Sequence, residues 1–299
     1  MTSKTGADFG ILLLGFNRPL LLQKTVSCLK AGSDLSRANV FLSLDGPRNS
    51  GDIEMVRMCE KILDQLAGEL PNACKLYSSR NQGLRNKVIS SVSTALGEVD
   101  SLFVMEDDCL ISDTGIDFFN WGLQQLDSRK DVGAISGTYW GSGRHDQAFL
   151  AKRFSSWGWA TNKAIWQGFL DSKYSQLPLI ELVTDIANLT KDDPLPYKYE
   201  YRQISKNVTG LDSWAVPFDL FLRSENLYTL KPTTNQIQNI GFGEAATHTV
   251  RGASLSKGTV SLDGSNLTAA SLTESIKIER AEAWSKFANL AREALSRKS

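Results

Sequence analysis

The first 135 residues alternate between short apolar runs and longer stretches with helical spacing. Phe9-Gly-Ile-Leu-Leu-Leu-Gly is a continuous apolar run suited to a buried strand. After it Pro19, which suits a first helical turn, opens a stretch with Leu20, Leu21, Lys24, Thr25 and Leu29 at helical spacing. The pattern recurs. Val40-Phe-Leu-Ser-Leu precedes a helix carrying Ile53, Val56, Ile62, Leu63 and Leu66, and Lys75-Leu-Tyr precedes one through Val88, Ile89, Val92 and Leu96. Leu102-Phe-Val-Met leads to a helix through Phe118, Phe119 and Leu126, and Val132-Gly-Ala-Ile closes the series. Strands that feed helices over and over predict an α/β fold with a mainly parallel sheet covered on both faces.

The second half is less regular and richer in aromatics, with Tyr139, Trp140, Trp157, Trp159, Trp166 and Trp214 and with Gly141, Gly143 and Gly158 in its loops. It is expected to wrap one edge of the sheet, with no linker marking a separate domain. A polar stretch from Arg251 to Ser271 follows. Beyond it, Trp284, Phe287, Ala288, Ala291 and Leu295 form a stripe read as a helix docked on its own domain. The expected organisation is one catalytic domain over 1–250, with halves at about 9–135 and 136–250, then a polar loop and an amphipathic helix over 251–299.

A chain of 299 residues buries enough surface to fold without disulfides or a structural metal. Its 33 basic and 33 acidic residues cancel, so no broad positive field exists to hold a nucleic-acid backbone. Cys28, Cys59, Cys74 and Cys109 include no C-x-x-C pair, which fits a reducing compartment. The longest apolar run, Ile11 to Phe16, is far too short to span a bilayer, and the polar first residues lack a secretory core; a cytoplasmic protein is expected.

In open α/β sheets ligands gather beyond the carboxyl ends of the strands, so the polar residues directly after each apolar run are the ones to inspect. They are Asn17-Arg18-Pro19, Asp45-Gly46-Pro47-Arg48, Arg80-Asn81-Gln82-Gly83 and Glu106-Asp107-Asp108. The acidic triplet is the sharpest. Chance alone supplies about 0.4 such triplets in a chain this acidic, so its position directly after Leu-Phe-Val-Met gives it weight. Adjacent acids at a strand end repel one another unless a cation or ligand offsets them, and hard oxygen donors suit Mg²⁺ or Mn²⁺ with a substrate diphosphate. Arg18 is a fork donor for phosphates, and Asp45 an acceptor for a base N–H or ribose hydroxyl. No P-loop motif exists, and Gly241-Phe-Gly-Glu-Ala-Ala matches a relaxed dinucleotide fingerprint without a good helix after it, so it is read as a decoy.

In order along the chain, N-R-P, S-L-D-G-P-R, V-M-E-D-D-C-L, S-W-G-W-A-T, L-D-S-W and K-P-x-x-x-x-x-x-N-I-G-F-G resemble metal-dependent glycosyltransferases of the glycosyltransferase-A fold. The pattern is most similar to the N-acetylglucosaminyltransferase I type and its bacterial relatives, from about Gly10 to Thr249. The resemblance implies a Rossmann-like sheet with an irregular acceptor-binding half, and a nucleotide diphosphate sugar donor, UDP-linked, with Mn²⁺ or Mg²⁺. It places Asp45 on the uracil edge, Arg18 facing the donor diphosphate and Arg85 near the donor. Glu106 falls on the donor sugar, Asp107 on the ribose or sugar, and Asp108 on the metal. Asp212 falls on the base that takes the acceptor hydroxyl proton in an inverting transfer. A late histidine, here His248, reaches the metal or phosphates in many relatives of the broad fold; a plain hydrogen-bonded histidine is the competing reading. Ser213 stands where the family carries a second aspartate.

Trp140, Trp159 and Trp214 are candidate platforms for an apolar sugar face, and the Trp157-Gly158-Trp159 loop a candidate water shield. Asp219, on the same helical face as Asp212, is a rival base. The implied acceptor is a hydroxyl on a glycan, a lipid-linked glycoconjugate or a protein. Two alternatives stay open: a sugar-phosphate nucleotidyltransferase, for which Gly15-Phe-Asn-Arg-Pro is poor in glycine, and a non-catalytic nucleotide-sugar or glycan-binding protein.

Overall fold

The computed structural model describes residues 9–32, 35, 38–141, 147–241 and 268–296. In its first half each apolar run is a strand and each helical stretch a helix. The order is β1 (Phe9–Gly15), α1 (Pro19–Gly32), β2 (Asn39–Leu44), α2 (Ile53–Glu69), β3 (Ala73–Tyr77), α3 (Leu84–Glu98) and β4 (Ser101–Glu106). The short β5 (Cys109–Ile111), α4 (Gly115–Ser128) and β6 (Val132–Ser136) follow. Strand side chains alternate between two cores: Ile11, Leu13, Phe103 and Met105 face one, and Leu12, Leu14, Leu102 and Val104 the other. Continuous apolar runs thus follow from helices lying on both faces.

The second half contributes β7 (Gln147–Ala151), β8 (Trp159–Asn162), α5 (Lys163–Asp171), α6 (Lys173–Gln176), α7 (Val183–Leu189), α8 (Leu195–Lys206) and α9 (Ala215–Ser224). The chain then forms β9 (Tyr228–Pro232), β10 (Ile237–Asn239), β11 (Thr268–Ala269) and α10 (Leu272–Ser296). Among the described residues nine strands join one sheet in the order β11-β7-β9-β6-β8-β4-β1-β2-β3, and β5 and β10 pair separately. Pairing is parallel among β3, β2, β1 and β4 and between β6 and β9, whereas β8 runs antiparallel between β4 and β6. The fold is α/β, with a mainly parallel sheet flanked by helices, and the sheet continues unbroken from the first half into the second. No described helix is long and apolar enough to cross a membrane.

Two sequence expectations change. Trp159 is not in a loop: it opens β8, is 1% exposed, and packs among Phe154, Trp166, Trp214 and Phe218. Helix α10 docks on its own chain, but not through the Trp284 and Phe287 stripe. Its buried face is Ser275, Glu279, Glu282 and Ala283. Polar anchors override the apolar pattern. Glu282 accepts from Lys231 Nζ at 2.5 Å, from the Trp140 backbone N–H at 3.1 Å and from the Tyr197 hydroxyl at 3.3 Å. Glu279 accepts from the Arg153 N–H at 3.0 Å, and Ser275 Oγ from the Leu150 N–H at 3.1 Å.

Glu282→Leu leaves the buried Lys231 ammonium without its counter-charge. It is expected to cost about 3–5 kcal/mol in urea unfolding, and adding Lys231→Met should return much of that loss.

Candidate active site

The ends of β1, β2 and β4 and the start of α3 converge on a cleft of about 480 Å³. Among the residues that line it are Arg18, Asp45, Glu106, Asp107 and Asp212, with Asn17, Arg48, Asn81 and Lys87 beside them. The parallel order dictates this gathering, because strands running the same way bring their following loops to one edge.

The acids at the end of β4 are held by surrounding donors. Asp107 is buried; its carboxylate accepts from the Phe16 N–H at 3.3 Å, and its backbone carbonyl takes the Thr25 hydroxyl at 2.8 Å. Asp108, also buried, accepts from Asn239 Nδ2 at 2.9 Å. Arg18 bridges the two, one guanidinium nitrogen on Asp107 and the other on Asp108 at 2.8 Å. Burial pushes the Glu106 carboxyl up to about 8, with Asp108 and Asp107 adding to the rise and Arg18 opposing it. Burial likewise raises Asp107 to about 6 against the pull of Arg18. For Arg18 burial favours the neutral form, yet the fields of Asp107 and Asp108 outweigh it and raise its pKa. The strand end sets three carboxyls against one arginine, and burial holds two of them toward the neutral form.

A divalent cation would favour the ionised form of these carboxyls. Among the described residues no group of three or more His, Cys, Asp or Glu side chains is placed to hold a metal ion. A pair of carboxylates nevertheless fits Mg²⁺ or Mn²⁺, which keep several waters and take their remaining ligands from substrate phosphates. Asp108 and Asp107 are the residues that fit, and the guanidinium between them marks where positive charge is wanted.

Asp45 is largely occupied. Its carboxylate accepts from the Gly46 N–H at 2.9 Å, Asn81 Nδ2 at 3.0 Å and the Gln82 N–H at 3.0 Å, tying the loop after β2 to the loop after β3. A Cβ on Gly46 would lie 2.5 Å from the Arg80 carbonyl carbon, so only glycine lets the two loops meet. Asp212, on the loop before α9, comes into the same cleft, and its Oδ2 accepts from the Arg85 backbone N–H at 3.4 Å. The Arg85 side chain turns away from the cleft, donating to the carbonyls of Ser175 at 2.8 Å and Leu177 at 3.0 Å.

Asp219 is consumed elsewhere. It is buried and accepts from the Phe154 N–H at 2.7 Å, from Arg223 Nε at 2.8 Å and from the Tyr201 hydroxyl. Trp159 and Trp214 are core residues, which leaves neither ring face for a sugar. Trp140 is half-buried, 5.5 Å from Trp157. His248 lies outside the described residues.

The sequence reading assigned no role to several residues that shape the cleft. Asp52 takes Asn17 Nδ2 at 2.6 Å and both Arg48 Nε at 2.8 Å and Arg48 Nη2 at 3.0 Å, fixing the loops after β1 and β2. Lys87, buried on α3, donates to the Leu76 carbonyl at 2.7 Å and Ser78 Oγ at 2.8 Å; burial lowers its pKa although Asp45 opposes this. Asn239 reaches Asp108 because β10 pairs antiparallel with β5, and Gly241 follows where a Cβ would fall 2.0 Å from Asp108 Oδ2. A usable signal for these last two was their place in the N-I-G-F-G segment.

No family model matches the chain, and no curated protein matches it. Among solved structures it is similar to the mannosyltransferase PcManGT from Pyrobaculum calidifontis in complex with GDP-Man and Mn²⁺, at 11% identity and TM-score 0.40, over 74% of this chain and 69% of that one. It is similar to GalNAc-T7 with UDP, GalNAc and Mn²⁺ at 8% identity and TM-score 0.49, over 84% of this chain and 46% of that one. A third is a 4-diphosphocytidyl-2C-methyl-D-erythritol synthase from Anaerococcus prevotii, at 9% identity and TM-score 0.33, over 77% of this chain and 90% of that one. Likenesses this distant assign neither a family nor an activity to the chain.

Arg18→Met leaves Asp107 and Asp108 without their cation. A loss of at least about 2 kcal/mol is expected in urea unfolding at neutral pH, and Mn²⁺ should return part of it in the variant. An equal loss with and without Mn²⁺ would show that the carboxylates do not take a divalent ion.

Proposed function

We propose that the chain is an inverting glycosyltransferase that takes a nucleotide diphosphate sugar, UDP-linked, and a divalent cation. One observation carries this reading: Asp212, from the second half of the chain, shares a single cleft with the strand-end acids Glu106 and Asp107 and with Asp45 and Arg18 from the first half. The first-half groups suit a nucleotide diphosphate, and an exposed carboxylate facing them from the other side suits a base. The order of motifs that resembles glycosyltransferases of the glycosyltransferase-A fold supports the same reading.

In the proposed reaction the acceptor hydroxyl oxygen bonds to the anomeric carbon as that carbon's bond to the diphosphate oxygen breaks. The diphosphate leaves with the electron pair, and the hydroxyl proton passes to the Asp212 carboxylate. Asp108 and Asp107 would hold the divalent ion, which would neutralise the charge gathering on the leaving diphosphate. Asp45, held by Asn81 and Gln82, offers its remaining lone pair to the base or ribose. Arg18, paired with Asp107 and Asp108, would serve as a fork donor to the diphosphate oxygens. Localisation in the cytoplasm fits the four cysteines, all of them free thiols.

UDP is expected to raise the melting temperature only when Mn²⁺ or Mg²⁺ is present; equal stabilisation without metal would defeat the proposed site. A screen of UDP-, GDP- and dTDP-sugars for metal-dependent slow hydrolysis names the donor without knowledge of the acceptor.

Asp212→Asn should abolish transfer and leave UDP binding intact, while Asp219→Asn should lower stability by about 1–3 kcal/mol through its lost bonds to Arg223 and Tyr201. Turnover of the Asp212 variant at the parent rate would remove it from the mechanism.

A further inference from the structure

Two hollows in the second half share a wall. One, of about 180 Å³, begins on Ala215 and Val216, the first residues of α9, only three positions beyond Asp212. Trp140 and Trp157 stand at its side. The other is an apolar groove of about 740 Å³ between α8 and α10, within the size range of sites that hold small organic ligands. Tyr197, Glu200 and Lys286 line both.

The groove is where the misplaced stripe of α10 went. Trp284 is 52% exposed and Phe287 41%, facing Leu195 at 67% and Tyr199 at 57% across the groove. Burying such side chains in the absence of a partner would be favourable, so leaving them in water marks a surface that something apolar covers. The charged residues of the groove are Lys198, Arg202 and Lys286 against Glu200 alone. Glu200 is already neutralised by Arg153 at 2.7 Å and Lys286 at 3.1 Å. In the smaller hollow the Arg153 guanidinium stacks on Tyr197 and Tyr201, and its buried Nη1 has no hydrogen-bond partner among the described residues. Apolar length, surplus positive charge and an unspent guanidinium donor therefore follow one another toward the start of α9, three residues past Asp212.

Resting on the reading of Asp212 as a transferase base, we propose that the acceptor is an amphiphile in which a sugar is joined through phosphate to a long apolar chain. The chain lies in the α8–α10 groove, the phosphate meets Lys286 and Arg153, and the sugar enters the Trp140–Trp157 hollow toward Asp212. A free saccharide has no use for the groove. A second copy laid on the same face would bring Lys198 and Arg202 against like charge.

The test uses the full chain and three probes: farnesyl phosphate, farnesol and inorganic phosphate. Farnesyl phosphate is expected to bind at least about tenfold more tightly than either fragment, and Trp284→Ser or Phe287→Ser to weaken it about tenfold. Both variants should still be stabilised by UDP with Mn²⁺, which separates a failed groove from a failed donor cleft. Were UDP with Mn²⁺ inert while farnesyl phosphate bound through Trp284, the groove would stand and the transferase reading alone would fall. Absent binding, or binding indifferent to the phosphate or to Trp284 and Phe287, overturns the proposal. So does a dimer that Trp284→Ser dissolves, or binding to phosphatidylglycerol vesicles with which farnesyl phosphate does not compete.

Discussion

Everything at the strand ends depends on how the molecule tolerates acids at the point where β4 leaves the core. Leu102, Phe103, Val104 and Met105 are fully buried, so the residues after them start in a poorly hydrated place where carboxylates are costly to ionise. The fold answers with donors drawn from distant parts of the chain: the Phe16 N–H from the first unit, Asn239 from β10, and the Arg18 fork across both aspartates. These donors do not offset the cost of burial, which holds the Glu106 and Asp107 carboxyls above their ordinary range. Carboxyls kept from ionising by burial gain from a cation that enters together with its anionic ligand.

The rest of the cleft is a second-level consequence of the same geometry. Asp45 and Asp52 spend most of their hydrogen-bonding capacity on loops rather than on solvent, so the segments after β1, β2 and β3 form one braced platform. Against that platform Asp212 arrives from across the sheet on a comparatively open loop. A fixed floor with a more exposed carboxylate opposite is a sensible division between a part that holds a donor and a part that receives varied acceptors.

Much of the first half could be read in the sequence because its signals are local. Continuous apolar runs report strands covered on both faces, and β1, β2 and β4 lie where those runs are. Asp45, Glu106 and Asp107 could be picked out for the same reason, since a polar residue directly after a buried strand has few other places to be. What could not be read was set by long-range pairing. The antiparallel insertion of β8 turned Trp159 from a loop residue into a core one, and Glu279 and Glu282 rotated α10 so that its polar face went inward. Periodicity assumes that apolar faces are buried, and it fails where buried ion pairs hold a helix instead. Arg85 failed similarly: its number in α3 suits the cleft, yet three carbonyls around Ser175 capture the guanidinium.

The insertion of β8 also bears on how the chain is made. The parallel set β3-β2-β1-β4 is assembled from successive strand–helix units and can collapse while the remainder is still being synthesised. Until residues 159–162 emerge, however, the outer rim of β4 has no neighbour, and its row of unpaired amide and carbonyl groups is open to pairing with another nascent chain. The interval between translating β4 and β8 is therefore one in which this protein exposes an edge that a chaperone would shield.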